Sequence, residues 1–130
     1  PSSRRPHISH AERRASGDEL VHLFRSAWVY ASASVYEGFG VPYVEAMACG
    51  TPVVTTSNPG AREVLRDGAD GVLVGTAGLA GAIADLLADR ARREDLAARG
   101  LARSRDFSLE RVAERYEDAY RRAIGRAGAA

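Results

Sequence analysis

The chain has 130 residues with 18 basic and 17 acidic side chains, a formal net charge of +1. This balance argues against a nucleic-acid-binding protein, which needs a field of positive charge to gather its polyanion. Hydrophobic residues make up 45% and charged residues 27% of the chain, which excludes a disordered or fibrous protein and indicates one globular core.

Cysteine usage and hydropathy bear on the compartment. The single cysteine, Cys49, cannot form an internal disulfide, which favours a reducing cytosol. No apolar run approaches the roughly 20 residues of a membrane span, and residues 1–10 lack the apolar core of a signal peptide. We therefore expect a cytoplasmic protein. Association with a membrane surface is an alternative that no feature of the sequence supports.

The amino-terminal part predicts a helix followed by a strand. Residues 1–17 have no clear period and indicate an irregular entry or the end of a severed strand. A helix is expected to begin behind an Asp18 cap, and residues 28–32 (WVYAS) predict a buried strand with Trp28 and Tyr30 in the core. The histidines do not have the spacing of a metal cluster and are expected on the surface or in packing roles; they are His7, His10 and His22.

The middle of the chain predicts short helices and strands in alternation. One helix runs from Pro42, which suits a first helical turn, to Gly50, which suits the stop after the last turn. The β-branched residues 52–56 (PVVTT) predict a strand, residues 61–67 (AREVLRD) a two-turn helix, and residues 71–74 (GVLV) another strand.

The remainder of the chain predicts helices. Residues 79–89 and 91–107 carry apolar residues at helical spacing, and Ser108 is expected to cap a last helix. The buried stripe of that last helix is predicted to comprise Val112, Tyr116 and Tyr120. A solvated arginine face is predicted on the helix before it, formed by Arg92, Arg93, Arg99, Arg103 and Arg105.

Strands that alternate with helices at this spacing predict an α/β fold with parallel strands joined by right-handed crossovers. About three strands are predicted, whereas a doubly wound sheet normally has five or six. We therefore expect an incomplete Rossmann-like parallel sheet with flanking helices, ending in long helices. The predicted organisation is an entry segment at 1–17, a partial nucleotide-sugar-binding domain at 18–106, and a carboxyl-terminal helix and tail at 107–130.

The stretch EGFGVPYVEAMACGTPVV, which begins at Glu37, follows a strand and opens a helix, the position at which open α/β sheets bind ligands. Gly38 and Gly40 allow close backbone approach, and the start of the helix favours an anion such as a diphosphate. Glu37 and Glu45 are predicted to face one crevice, where carboxylates can accept the paired hydroxyls of a ribose or hexose. Spacing alone leaves a second interpretation equally open, in which Glu37 is a helix-leading acid and Glu45 a solvated helix residue.

The run from Glu37 to Thr56, EGFGVPYVEAMACGTPVVTT, closely resembles the signature of glycosyltransferase family 4, in which two glutamates are separated by seven residues. The resemblance continues before it in ELVHLFRSAWVYASAS and after it in PGAREVLRDGADGVLV and DFSLERVAERY. About 110 of the 130 residues fit the pattern.

This resemblance implies the carboxyl-terminal half of a two-domain GT-B enzyme, which moves a hexose from a UDP- or GDP-linked donor to an acceptor with retention at the anomeric carbon and generally without a metal or other cofactor. It implies that Glu37 is the catalytic residue, placed against the hydroxyls of the donor sugar and stabilising a cation-like transition state without acting as a nucleophile. It further implies that loop amides and the helix start at Val41 meet sugar and diphosphate, and that Glu45 holds the ribose hydroxyls. The donor-binding residues implied in this way are Glu37, Gly38, Phe39, Gly40, Val41 and Glu45.

Two departures from the family pattern bear on activity. The basic pair that such enzymes supply for the diphosphate is absent, and so is the amino-terminal acceptor domain, so this chain alone is expected to bind donor weakly and to be inactive. The alternative is a non-catalytic module for nucleotide-sugar binding or assembly. The acceptor and the donor's base and sugar stay open. Residues 57–60 (SNPG) fit a border of the pocket or a plain turn equally well, and Glu63 is interpreted as a helix-start acid.

Overall fold

A computed structural model describes residues 16–127, with the side chains up to residue 125. The entry segment predicted for residues 1–17 lies outside this range except for its last two residues, and so do His7 and His10. The helices are α1 Gly17–Ser26, α2 Val41–Ala48, α3 Pro59–Val64, α4 Leu79–Ala88, α5 Arg90–Ser104 and α6 Leu109–Ala127, and the strands are β1 Tyr30–Ser32, β2 Val53–Thr56 and β3 Val72–Val74. Single 3₁₀ turns occupy Arg66–Gly68, Thr76–Gly78 and Arg105–Phe107.

The strands of residues 16–127 form one parallel sheet in the order β1-β2-β3. Tyr30 of β1 is paired with Val53, and Val54 is paired with Val72 of β3. Because neighbouring residues of a strand point to opposite faces, Val53 packs among α1, α2 and α3, whereas Val54 packs against α4 and α5. The sheet is therefore covered by helices on both faces, which confirms the predicted α/β architecture.

Helix α1 begins earlier than predicted and with a different cap. The Ser16 hydroxyl accepts a hydrogen bond from the amide of Glu19, while the Glu19 carboxylate accepts one from the amide of Ser16 at 2.8 Å. This reciprocal arrangement is a capping box, which satisfies two of the amides that a helix start leaves without partners. The Asp18 cap was therefore wrong, because Asp18 lies inside the first turn, where its charge favours the helix dipole.

Helix α2 anchors the larger core cluster. Tyr43 and Met47 on its inner face are 1% exposed. The Tyr43 hydroxyl lies deep in the core, where it accepts hydrogen bonds from Thr55 at 3.2 Å and from the Asn58 side chain at 3.1 Å. The helix ends at Ala48, before Gly50, which has a φ of +75°. The boundaries predicted from Pro42 and Gly50 are thus confirmed.

Replacement of Tyr43 by phenylalanine is expected to lower the free energy of unfolding by about 0.5 to 1.5 kcal/mol, because Thr55 and Asn58 would each lose one buried acceptor while keeping another. Urea denaturation with a linear extrapolation measures the change. Tyr120→Phe is the matched control, since the Tyr120 side chain is 64% exposed and surface changes of this kind stay within about 0.5 kcal/mol. Equal effects of the two substitutions would contradict the buried network.

The prediction that Trp28 lies in the core was wrong. Trp28 lies before β1 and is 42% exposed, with the Arg93 guanidinium 4.8 Å from the centre of its ring. The predicted solvated arginine face is exposed at Arg92, Arg99 and Arg105 and half-buried at Arg93 and Arg103. Arg93 donates to the last carbonyls of α4, Arg99 to the carbonyl of Ala69, and Arg103 to carbonyls at the end of α3. These guanidinium groups join α5 to its neighbours.

The apolar stripe of α6 was predicted to be buried, and this was wrong. Ser108 does cap the helix, since its hydroxyl accepts from the amide of Arg111 at 3.3 Å. Within residues 16–127, however, α6 packs chiefly on the 3₁₀ turn that precedes it. Its stripe is consequently exposed, by 80% at Leu109, 37% at Val112, 63% at Tyr116, 64% at Tyr120 and 72% at Ile124.

No helix of residues 16–127 is both long and apolar enough to cross a membrane.

Candidate functional site

The candidate site is built on the loop of residues 33–40, which leaves the carboxyl end of β1 and enters α2. The first part of this loop is tied to β2 and to the turn that follows it. The carbonyl of Ser34 accepts hydrogen bonds from the Thr56 hydroxyl and, at 2.9 Å, from the Asn58 side-chain amide. Asn58 is 3% exposed and also caps α3 by accepting from the amide of Ala61 at 2.8 Å. The loop is therefore attached to a buried framework.

A second attachment lies at Glu37 itself. The amide of Gly60 donates a hydrogen bond to the Glu37 carbonyl at 2.9 Å. A Cβ atom at position 60 would lie 2.8 Å from that carbonyl oxygen and from the carbonyl carbon of Phe39, closer than real Cβ contacts. Only glycine fits here. The turn at residues 57–60 thus supports the loop through Asn58 and Gly60. The sequence signal for this was a glycine directly after the helix-capping Asn-Pro pair, but nothing in it identified Glu37 as the partner.

The loop ends in a set of amides without protein partners. The backbone N–H groups of residues 38–41 donate to no acceptor within residues 16–127. Gly40 adopts a left-handed conformation with φ 87° and ψ 47°, which turns the chain into the first turn of α2. Consecutive free amides and a helix start both favour an anion at this position. Gly38, Phe39, Gly40 and Val41, all predicted for the site, therefore lie together at the start of α2.

The two predicted glutamates lie on either side of the amide row along the chain. Glu37 is half-buried in the loop, and Glu45 is exposed one turn into α2. Neither carboxylate has a hydrogen bond or an ion pair within residues 16–127. Such acceptors are available to a ligand that offers hydroxyl groups.

The hydroxyl group of Tyr30 has a raised pKa, to which burial and both carboxylates contribute. Burial is the main reason that the pKa of its hydroxyl lies above the ordinary value, followed by the neighbouring Tyr43. The carboxylates of Glu37 and Glu45 raise the same pKa further, because negative charge disfavours a phenolate, while a hydrogen bond with Ser32 acts in the opposite direction. Tyr30 was predicted as a core residue, and it is half-buried and packs against the larger core cluster.

A groove of about 640 Å³ opens beside Glu45. Pro42 and Glu45 line it on the side of α2, and Tyr30 lines its floor. The opposite wall comes from α1, through Leu20, Leu23 and Phe24. This groove has an apolar wall on one side and an unpaired carboxylate on the other.

One contact of the loop was not predicted. The ring of Phe39 makes an edge contact with Phe107, with the ring centres 5.6 Å apart. The interpretation of Glu63 as a helix-start acid was wrong, because Glu63 is exposed near the end of α3. Within residues 16–127 no group of three or more His, Cys, Asp or Glu side chains is arranged to hold a metal ion. The expectation of metal-independent chemistry stays a prediction.

Comparison with known proteins identifies the family of the chain. Residues 8–103 match the family model described as glycosyl transferases group 1. A D-inositol 3-phosphate glycosyltransferase of Salinispora tropica is 38% identical over 84% of this chain, and one of Xylanimonas cellulosilytica is 44% identical over 82%. An O-antigen chain mannosyltransferase B of Escherichia coli is 36% identical over 80%. The matched part covers 23%, 26% and 28% of these relatives, so the chain spans about a quarter of their length. The chain belongs to the group 1 glycosyl transferases.

Proposed function

We propose that this chain is the donor-binding part of a retaining, family 4 glycosyltransferase, which moves a hexose from a UDP- or GDP-linked donor to an acceptor held largely by another domain. The observation that carries the proposal is the row of amides at residues 38–41, flanked along the chain by the carboxylates of Glu37 and Glu45, all without a hydrogen-bond partner within residues 16–127. The amides suit the diphosphate and the carboxylates suit the hydroxyl groups of a sugar and a ribose. A nucleotide sugar contains all three groups in one molecule.

The diphosphate lies against the start of α2 in this proposal. The amides of Gly40 and Val41 donate to no acceptor within residues 16–127, and the aligned peptide dipoles add roughly half a positive charge at this end. Backbone amides can contact the diphosphate at this helix start without an arginine. Amides alone, however, bind an anion weakly. The acceptor domain and the preceding part of the donor domain are therefore proposed to complete the diphosphate site.

The two glutamates take different ends of the donor. Glu45 borders the groove of about 640 Å³, so it accepts the ribose hydroxyls while the groove takes the nucleoside. Glu37 lies in the loop before the helix and precedes the amides along the chain. In this position it accepts hydroxyls of the sugar. This order along the chain, sugar carboxylate, phosphate amides, ribose carboxylate, matches the order of the groups in the donor.

The reaction proposed is a front-face substitution. The acceptor oxygen forms a bond to the anomeric carbon as the bond from that carbon to the diphosphate oxygen breaks, and the leaving diphosphate takes the acceptor proton. Glu37 contributes negative charge close to the cation-like sugar ring, and the loop amides stabilise the charge that develops on the diphosphate. No covalent intermediate with the protein is involved.

The relatives leave the acceptor open, since their names refer to D-inositol 3-phosphate in one case and to an O-antigen chain in another. One of them is named as a mannosyltransferase. GDP-mannose is accordingly one donor to test, and UDP-glucose is its counterpart with the other base. The free diphosphates GDP and UDP separate recognition of the nucleotide from recognition of the sugar.

Replacement of Glu45 by alanine is expected to weaken binding of the preferred nucleotide by roughly 10- to 150-fold, because a hydrogen bond to a charged group contributes about 1.5 to 3 kcal/mol. Isothermal titration calorimetry of the intact transferase with the four ligands measures the change. The loss should be equal for the free diphosphate and the sugar conjugate, since the proposed contact is with ribose.

Glu63→Ala is the matched control, because Glu63 is an exposed glutamate on the next helix, outside the loop and the groove. It should bind as the unchanged protein does. Equal affinity of the Glu45→Ala variant would refute the ribose contact. Binding of a nucleotide sugar without any transfer or release of its sugar by the intact protein would favour the non-catalytic module instead.

A further inference from the structure

The segment after α5 reaches the donor loop through a single aromatic contact. Phe107, at the end of the 3₁₀ turn Arg105–Phe107, meets the ring of Phe39 edge to face, with an angle of 79° between the planes and 5.6 Å between the centres. Phe39 is 46% exposed, and Phe107 is half-buried against the larger core cluster. Residues that are far apart in sequence thus meet at the edge of the candidate site.

Phe107 is held firmly from its other side. The guanidinium of Arg103 lies 4.6 Å from the centre of the Phe107 ring. Only 13% of the Arg103 side chain is exposed, and its N–H groups donate to the carbonyl of Glu63 at 3.0 Å, to that of Val64 at 3.2 Å and to the Asp106 carboxylate at 2.9 Å. Ring and guanidinium together form a platform, Arg103 and Phe107, that is fixed to the end of α3.

The carbonyl side of the loop backbone is held, because Glu37 accepts a bond from Gly60, Phe39 packs closely on Gly60, and Gly40 accepts bonds from the first turn of α2. The amides of Gly38, Phe39 and Gly40, in contrast, have no acceptor within residues 16–127. Phe39 carries the only side chain of these three residues, because glycines flank it. Glycines allow many backbone conformations, so the direction of these amides depends strongly on where the Phe39 ring is placed.

We propose that Phe107 is a positioning residue for the donor site. It holds Phe39 against the platform, and through Phe39 it fixes the direction in which the amides of residues 38–41 point. It touches no donor atom itself. The inference rests on the proposed function, because the amides need a fixed direction only if they bind the donor. It assigns a role at the site to a residue that lies 70 positions from Glu37 in sequence.

A double-mutant cycle in the intact transferase tests this proposal. The variants are Phe39→Ala, Phe107→Ala and their combination, with Phe107→Tyr to restore the aromatic edge, and calorimetry measures binding of GDP-mannose and UDP-glucose. Phe107→Ala is expected to weaken the donor that binds by about 2- to 12-fold, the fold-change that corresponds to an aromatic pair. Phe107→Tyr should restore the affinity. In the Phe39→Ala background, removal of the Phe107 ring should have no further effect, because contacts that act as a pair are not additive.

Leu73→Ala controls for a general loss of stability, since Leu73 packs against the same core cluster from β3. It should lower the midpoint of thermal unfolding without weakening the donor. Equal weakening by Leu73→Ala, independent effects of the two phenylalanines, or an unchanged affinity of Phe107→Ala beside a weakened Phe39→Ala would each overturn the role of Phe107 while leaving the proposed function intact. If the unchanged protein binds neither donor, the proposed function itself fails.

Discussion

Substitution of Glu37 by glutamine is expected to lower kcat for donor cleavage by about 100- to 1,000-fold, the range seen when one group that stabilises transition-state charge is removed. Glutamine keeps the size of the side chain and the backbone bond from the Gly60 amide to the carbonyl of residue 37. It removes the negative charge that the proposal places beside the sugar cation. The assay is release of free GDP or UDP from the sugar donor by the intact transferase.

The donor KM should change much less than kcat, because an amide oxygen still accepts a hydroxyl group in the ground state and the charge matters most in the transition state. Glu63→Gln provides the matched control and should leave both constants unchanged. A variant of Glu37 with an unaltered kcat and a raised KM would contradict the catalytic role and leave only a binding role. This outcome would support the interpretation of Glu37 as a plain ligand for sugar hydroxyls.

Substitution of Gly60 by alanine is expected to weaken donor binding by at least about tenfold, which corresponds to about 1.4 kcal/mol. The residue itself touches no donor in this proposal. Its Cβ would lie 2.8 Å from the Glu37 oxygen and from the Phe39 carbonyl carbon. Both are backbone atoms, so the loop as a whole has to move, and the Glu37 carbonyl loses its hydrogen bond. Overpacking of this kind also costs about 1 to 3 kcal/mol of stability. Calorimetry with GDP-mannose and UDP-glucose, together with thermal unfolding, measures the two effects.

Gly75→Ala is the control for this substitution. A Cβ atom at Gly75 would meet no atom within 4 Å, and its φ of −72° suits alanine. Its donor affinity should equal that of the unchanged protein, and its stability should be equal or slightly higher. If Gly60→Ala binds donor as well as Gly75→Ala does, the loop is not held by residue 60 and the description of the site is wrong.

Local signals were sufficient for the elements that hold the site. The start of α2 follows from Gly40 and Pro42, and its end from Gly50, because each residue has a conformational preference that acts within one turn. The β-branched residues of β2 predict a strand at this place in the chain. The position of Glu37 before α2 and of Glu45 inside it follows from the same short stretch. Their roles toward a donor stay predictions.

The supports of the site were out of reach of such reasoning. The bond from Gly60 to Glu37 and those from Arg103 to the end of α3 join residues far apart along the chain. A helical spacing gives an arginine a side of its helix, but it does not say which carbonyl lies opposite. Arg103 was therefore interpreted as a solvated residue, and Phe107 was not singled out.

Apolar spacing also identifies a face without identifying what covers it. The stripe of α6 has the period of a packed helix, yet Tyr116 and Tyr120 are exposed, since within residues 16–127 α6 packs chiefly on the 3₁₀ turn that precedes it. Trp28 shows the same limit at a strand end, since its size suggested the core and its position before β1 leaves it beside Arg93. The α1 cap is a different case. The pair Ser16 and Glu19 has the spacing of a capping box, which the sequence itself shows. The sequence analysis nevertheless assigned the cap to Asp18.

The hydrogen bond from the Gly60 amide to the Glu37 carbonyl holds the backbone of Glu37 but not its side chain. The backbone is ordered when the protein folds, so its loss of conformational entropy opposes folding and does not oppose ligand binding. The carboxylate, which has no partner within residues 16–127, keeps its rotamers until a ligand arrives. If the loop binds the donor sugar as proposed, we expect this preorganised backbone with an adaptable side chain to accept hexoses that differ in the direction of a hydroxyl.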